Sequence, residues 1–499
     1  MTSDPTTRGQ ELSEAVHSGD ADAVVRLLRA GVPAEAADAE GRTALHLAAS
    51  GDDPAIVRLL LAAGADPGRG SGEDGDELPL CGAACWGRTE VVRALLAAGA
   101  PADQKEGGGF TALTWAVLNG FADTVAALLE YGADPSLPGP SGEPPLVTAA
   151  RRGSPSVVRA LLAHGAAGRR EALAEARRWI DVDPEQALRE SIAETWGPGH
   201  ETVTRRVEED GGVTVVVELL RDGVPRGGQE RQTGHAAVAT LLEAVSGVAA
   251  PPETLAGRAL RWGAPERDDW TEAVAALRGR GDEETFRAAV AWCASDDPLR
   301  QAFGADVLAR LGFSGGRRPF AARALPLLRE LAREAVDAEP VSAVVGALGD
   351  QGDPAALPEL LRHAGHPDPA VRRRVALALT GLVPEGHDEG VRALMALSGD
   401  REARVRVPAT RALAEAPDAS SAVREALAAR LDDPDGDTAA EAARGLARRQ
   451  DVRAVDVLER ILGGPQPDGP ARAVALAALE HVRDESARRR LEHTLPRRR

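Results

Sequence analysis

Cys81 and Cys85 stand four residues apart in "LPLCGAACW", a spacing that puts both thiols on one face of a helix and could offer two thiolates to a metal ion. A structural metal site takes about four ligands. The next ligand-type side chain, His46, belongs to a turn of its own, so packed or surface thiols are expected, with no metal and no other cofactor. The glycine-rich stretch "EGGGF" (Glu106 to Phe110) precedes a repeat start and not the strand-to-helix lysine of a phosphate-cradling loop, and "SGGRR" (Ser314 to Arg318) likewise reads as a loop. Carboxylate pairs such as Asp432 and Asp433 read as solvated loop ends, and no serine, histidine and aspartate group together beyond chance. No small-molecule substrate is therefore expected, and the residues point to surface recognition rather than to a reaction.

Those surfaces have to be positioned by helices. Only 3% of the 499 residues are aromatic while 43% are hydrophobic, so alanine, leucine and valine must do the packing, which suits stacked helices better than a ring-lined cavity. A net charge of −18 repels phosphate backbones and anionic membranes, which speaks against nucleic acid or an anionic membrane as a partner. Three cysteines in so long a chain make no disulfide framework, and no apolar run reaches the ~18 residues of a membrane span, so a cytoplasmic location is expected. Lys105 is the one lysine among many arginines, a skew expected of a GC-rich bacterial genome.

A repeating unit fills the first third of the chain. Leu12, Leu45, Leu80, Leu113 and Leu146 follow one another at spacings of 33, 35, 33 and 33, and Gly31, Gly64, Gly99, Gly132 and Gly165 keep the same beat. Each unit reads as a helix, turn, helix and loop that cannot bury its apolar stripe alone and must stack on its neighbours. Alanine pairs such as Ala48 and Ala49 let the first helices approach closely. Repeat two, "GRTALHLAASG", resembles the ankyrin repeat, and the resemblance runs through five copies over residues 9–167. It implies a side-chain hydrogen bond between Thr43 and His46, whose equivalents elsewhere are Cys81, Thr114 and Val147.

Residues 282–485 carry a second beat. Val371, Val405, Thr438 and Ala471 align at spacings of 34, 33 and 33, each with a leucine eight residues on, in segments such as "HPDPAVRRRVALALTGL" that resemble HEAT-type repeats of the compact bacterial kind. Residues 168–281 make an α+β connector. Its β-branched runs from Glu201 to Gln232, broken by Asp210-Gly211-Gly212 and Asp222-Gly223, predict a three-stranded antiparallel meander that either caps the first array or binds a ligand itself. Residues 486–499 read as an arginine-rich tail. The expected fold is mostly α, two α-solenoids joined by this connector.

The ankyrin resemblance also implies which side chains face the binding groove. Carried onto this chain they include Arg42, Trp86, Phe110, Leu118, Asn119, Tyr131, Arg151 and Arg152, while Trp115 is expected between helices in the core. Large rings on a rigid surface are common interface anchors, although rings can also fill gaps between repeats. In the second array Arg372, Arg373, Arg404 and Arg406 project from second helices, either to meet an acidic protein or to pair with neighbouring carboxylates. The expected function is a noncatalytic scaffold or adaptor that presents its concave faces to a protein. The alternative, implied by the HEAT resemblance, is an enzyme or a DNA-repair protein of the alkylpurine glycosylase kind with an ankyrin targeting arm.

Overall fold

The computed structural model describes residues 5–197, 200–209, 211–262, 265–464 and 469–494. Contacts divide the chain into two units, Met1–Ala273 and Val274–Arg499, so the division falls ahead of residue 282.

The first unit opens with five helical hairpins, from Pro5–His17 with Ala21–Arg29 to Pro145–Arg152 with Pro155–Ala163. All five register leucines are buried, in one continuous core that runs from Leu12 to Leu242. The five closing glycines all adopt positive φ, between 81° and 95°, the left-handed turn that ends a helix and sends the chain into the next loop. Thr43 caps its helix through Oγ1, which accepts from the backbone N–H of His46 at 3.2 Å. The expected side-chain bond to His46 is not formed: the imidazole Nε2 lies 3.3 Å from Glu77, in the next repeat, and Nδ1 is buried without a partner. Thr111 repeats the cap on the N–H of Thr114.

Two connector helices, Arg169–Trp179 and His235–Val245, continue this stack, and Val238, Ala239 and Leu242 belong to its core. Glu243, buried among them, accepts from Arg258 at 2.6 and 2.9 Å and from Arg177 at 2.8 Å, which supplies the hydrogen bonds a buried carboxylate needs. Between these helices the chain leaves the stack to form the helix Pro184–Trp196 and the meander β1 (Glu201–Glu209), β2 (Gly212–Arg221) and β3 (Val224–Gln232), in the order β1-β2-β3. Asp210, part of the expected first turn, lies outside the described residues. One face of the sheet has its own small core, in which Val213, Val215, Val217 and Leu219 pack on Leu188 and Ile192. The register slips between Leu219 and Leu220, which leaves Arg226 of β3 unpaired beside Pro225.

The second unit carries six helical hairpins between Glu283 and Ala478, and its successive second helices pack on one another in a row. Aspartates cap several of them: Asp297 accepts from Leu299 N–H and Asp368 from Ala370 N–H, each just before a proline that starts the helix. Val371, Val405 and Thr438 are fully buried, and the leucines eight residues on, Leu379, Leu413 and Leu446, are buried too. The expected tail from residue 486 is instead largely a helix, Glu485–His493, because Leu491 gives it a buried anchor and Arg490 pairs with Asp456 and Glu459. Residues 495–499 lie outside the described residues.

Candidate protein-binding groove

Three first helices end side by side, at Cys85, Asn119 and Arg152. Side chains at these ends tie each repeat to the one before. The Asn119 amide donates to the Cys85 carbonyl at 3.0 Å, and Arg152 Nη1 donates to the Leu118 carbonyl at 3.0 Å. Arg152 runs across Gly120, where φ is +78° and an added Cβ would lie 2.3 Å from Nε, and its other terminal nitrogen pairs with Glu230 of β3. This arginine therefore latches the sheet to the ankyrin stack. The latch is reinforced where Gly234 N–H donates to the Gly153 carbonyl at 3.1 Å and where His235 Nε2–H donates to the Arg151 carbonyl at 3.0 Å.

Latched in this way, the second face of the sheet stands opposite the ankyrin helix ends, across a groove of about 740 Å³. Trp86, Leu118 and Phe121 line one wall, Arg205, Val216 and Glu218 the other, and Arg152 and Glu230 close one side. Trp86 is 63% exposed and Leu118 42%, a large apolar area left open to solvent on a chain with few aromatics. By register Val203 and Val207 of β1 share the face of Val216, and both are exposed as well. Arg205 and Glu218 pair across the strands at 2.6 Å. A further hollow of about 450 Å³ shares Asn119, Phe121, Arg152 and Glu230 and adds Asp123, Glu209 and Gln232. Burial pushes the Cys85 thiol pKa upward, and the thiol of Cys81, buried beside Glu106, is pushed higher still, so neither is poised as a nucleophile. Among the described residues no three histidine, cysteine or acidic side chains group as metal ligands.

Of the residues expected on the ankyrin surface, the groove brings together Trp86, Leu118, Asn119 and Arg152. The others lie elsewhere. Arg42 pairs with Asp38 at 2.9 Å and Glu40 at 3.3 Å, and Arg151 is held by Glu143 at 2.7 Å and Glu175 at 2.9 Å. Phe110 is half-buried and stacks on Trp115, with centroids 4.2 Å apart. Trp115 is also half-buried rather than fully in the core, because its indole N–H reaches out to Glu106 at 2.5 Å. Tyr131, 45% exposed, ends the second helix Ala122–Glu130, away from the groove lining. In the second unit Arg373 and Arg404 are exposed, but Arg372 and Arg406 are 8% and 9% exposed and do not project outward. Each of these two donates to two carbonyls of its own loop and forms a fork with the aspartate of the next repeat, Asp400 or Asp433. The spacing of arginines alone does not separate these staples from their exposed neighbours.

The sheet wall went unread in the sequence, although its signal is present. "VTVVVELL" is wholly apolar on one face and carries Val216 and Leu220 between Thr214 and Glu218 on the other, so part of its second face also asks for cover.

The chain is thus a repeat protein with two α-helical arrays and a small sheet in its first unit. Residues 12–106 and 80–172 match the family model described as ankyrin repeats (3 copies), and residues 325–414 match that of HEAT repeats. Among curated proteins, the glycerophosphocholine phosphodiesterase gde1 of Schizosaccharomyces pombe is 38% identical over 106 residues, which is 21% of this chain and 9% of the yeast protein. That similarity lies in the ankyrin-like region. No helix among the described residues is long and apolar enough to cross a membrane.

Proposed function

We propose that the protein is a noncatalytic scaffold of the bacterial cytoplasm, and that the groove between the ankyrin helix ends and the sheet is where it takes hold of a protein partner. The observation that carries this reading is the pair of apolar walls: Trp86 and Leu118 face Val216 across open space, on a frame whose positions are fixed by Arg152 and Asn119. A preordered groove loses little side-chain entropy on association, and an exposed tryptophan in a concave site is a typical hot spot. Arginine in place of lysine everywhere but Lys105 and cysteines left unpaired support the setting. Arg373 and Arg404 offer a second, basic contact surface on the HEAT array for an acidic protein segment.

Affinity capture from the native cell with full-length protein, run in parallel with Trp86→Ala and Tyr131→Ala chains, tests the assignment. A groove partner is lost with Trp86→Ala, at a cost of about 2 kcal/mol or more in affinity, and retained with Tyr131→Ala. A partner that Trp86→Ala still retains places the binding surface elsewhere.

A further inference from the structure

We propose that the groove takes its partner as an extended strand added to the open edge of β3, and that the segment bound carries a bulky apolar side chain and a basic one; this rests on the groove being the binding surface. The edge is the first observation. A cavity over one face of a sheet touches every second residue of a strand, because side chains alternate between faces. This groove also touches Gly227, Gly228, Gln229, Glu230 and Arg231 in unbroken succession, so it reaches past the second face to the edge of β3. β3 is the last strand of the sheet, and among the described residues none from Val224 to Arg231 makes a backbone hydrogen bond outside the strand ladder.

Open edges are usually blunted, and here Pro225 and the bulge at Arg226 blunt one end while the Arg152–Glu230 pair crosses the other, which leaves Gly227 to Gln229 between them. The proline and the bulge interrupt the ladder at the start of the strand, and the two glycines that follow carry no side chain, with Trp196 3.9 Å from where a Cβ of Gly227 would stand. Strand addition draws its affinity from main-chain hydrogen bonds and its specificity from pockets for alternate side chains. Two such pockets lie along this edge. Trp86 and Leu118 form the apolar one. The adjoining hollow holds Asp123, Glu209 and Glu230 against a single cation, Arg152, which is itself largely buried. Asp123 and Glu209 have no ion-pair partner among the described residues, so this end of the groove is complementary to lysine or arginine.

The probe is a positional library of nine-residue peptides on an alternating threonine and valine background, with leucine or phenylalanine paired at every spacing with arginine, lysine, aspartate or glutamate. Binding to the full chain is read by fluorescence anisotropy. The expected selection is apolar plus basic, at least about tenfold tighter than the acidic counterpart. The best peptide is then N-methylated on its odd residues or on its even residues. Only one set faces β3 in a ladder, so one version loses binding by at least about tenfold and the other stays close to the parent. Hydrogen exchange at Gly227–Arg231 slows in the complex, and Asp123→Asn with Glu209→Gln, both exposed, abolishes the preference for a basic residue.

Equal effects of the two methylation patterns, selection of acidic peptides, or no binding by any member overturns the strand-addition proposal. In each of those cases a Trp86-dependent protein partner would leave the scaffold reading standing. Peptides that bind as expected, while captured proteins ignore Trp86→Ala, would instead overturn the assignment of those proteins to the groove.

Discussion

Arg406 gives the sharpest stability prediction, because its environment contrasts so strongly with that of Arg404 two residues earlier. Its guanidinium reaches Asp433 through Nε at 2.9 Å and Nη2 at 2.8 Å, and through Nη1 it meets the carbonyls of Asp400 at 3.1 Å and Arg401 at 3.2 Å. The Asp433 side chain is only 2% exposed, and its carboxylate also accepts from the N–H of Asp435 in the loop that starts the next helix and lies 3.6 Å from Arg430. Truncating Arg406 to alanine leaves that carboxylate short of its principal counter-charge, and removing one partner of a buried pair costs about 3–5 kcal/mol. The two orphaned carbonyls add to this, at about 1 kcal/mol each where water cannot replace the donor. Arg404→Ala removes an exposed side chain and should change stability by no more than about 0.5 kcal/mol. Urea titration of the full chain followed by far-ultraviolet circular dichroism reads the difference. Replacing both Arg406 and Asp433 by methionine and leucine should recover much of the loss, since no charge is then left buried. Equal losses for Arg404→Ala and Arg406→Ala, or a double variant no better than Arg406→Ala, would refute the staple.

Thermal melts should separate the rings: Trp86→Ala changes stability by about 0.5 kcal/mol or less. Phe110→Ala loses at least the ~0.5–1.5 kcal/mol of an aromatic pair, seen also as a change in Trp115 fluorescence. Gly120→Ala forces a left-handed backbone on a side chain that meets Arg152, so a loss of more than about 1–2 kcal/mol is expected, together with faster hydrogen exchange at Glu230. Two buried groups set opposite pH responses in the first unit. Burial raises Asp269 to about 7, so the fold holds this proton more tightly than the unfolded chain does. That contribution is complete below about pH 4 and is lost as the pH rises through 7, so Asp269→Asn should gain on the wild type over that window, by up to about 1.4 kcal/mol per pH unit. Burial holds His235 down to about 4, so its contribution is complete above about pH 6.5 and is lost as the pH falls towards 4. His235→Gln should flatten that acid-side loss in paired melts from pH 4 to 8.

The stacked helices were legible because nearest-neighbour packing repeats its demands. The leucine that fills one inter-repeat gap must recur about every 33 residues, and the glycine that turns out of each second helix recurs with it. The meander was legible from its β-branched runs and turn residues, and its three strands are present. What could not be read was long-range docking. The sequence distinguishes neither Arg372, forked to Asp400 at 2.7 Å, from exposed Arg373 beside it, nor Arg152, latched to a strand 78 residues away, from a free concave arginine. Such partners are set by which turn of the helix faces the next repeat and by where the sheet returns. Trp86 could be placed by motif because its slot is local, whereas the opposite wall of the groove depends on contacts that follow no period.

The route of the chain between Trp179 and His235 bears on how this protein can diversify. The helices Arg169–Trp179 and His235–Val245 lie in one stack, and everything between them departs from one and comes back to the other. Residues 180–234 are therefore an insertion with fixed anchorage, and they supply one entire side of the groove while adding little to the main core. On the proposed reading of the groove, mutation or recombination within that stretch would redraw what it selects while the main core keeps its residues. The cradle and its adjustable jaw can evolve at different rates, much as exchangeable loops do on a conserved frame.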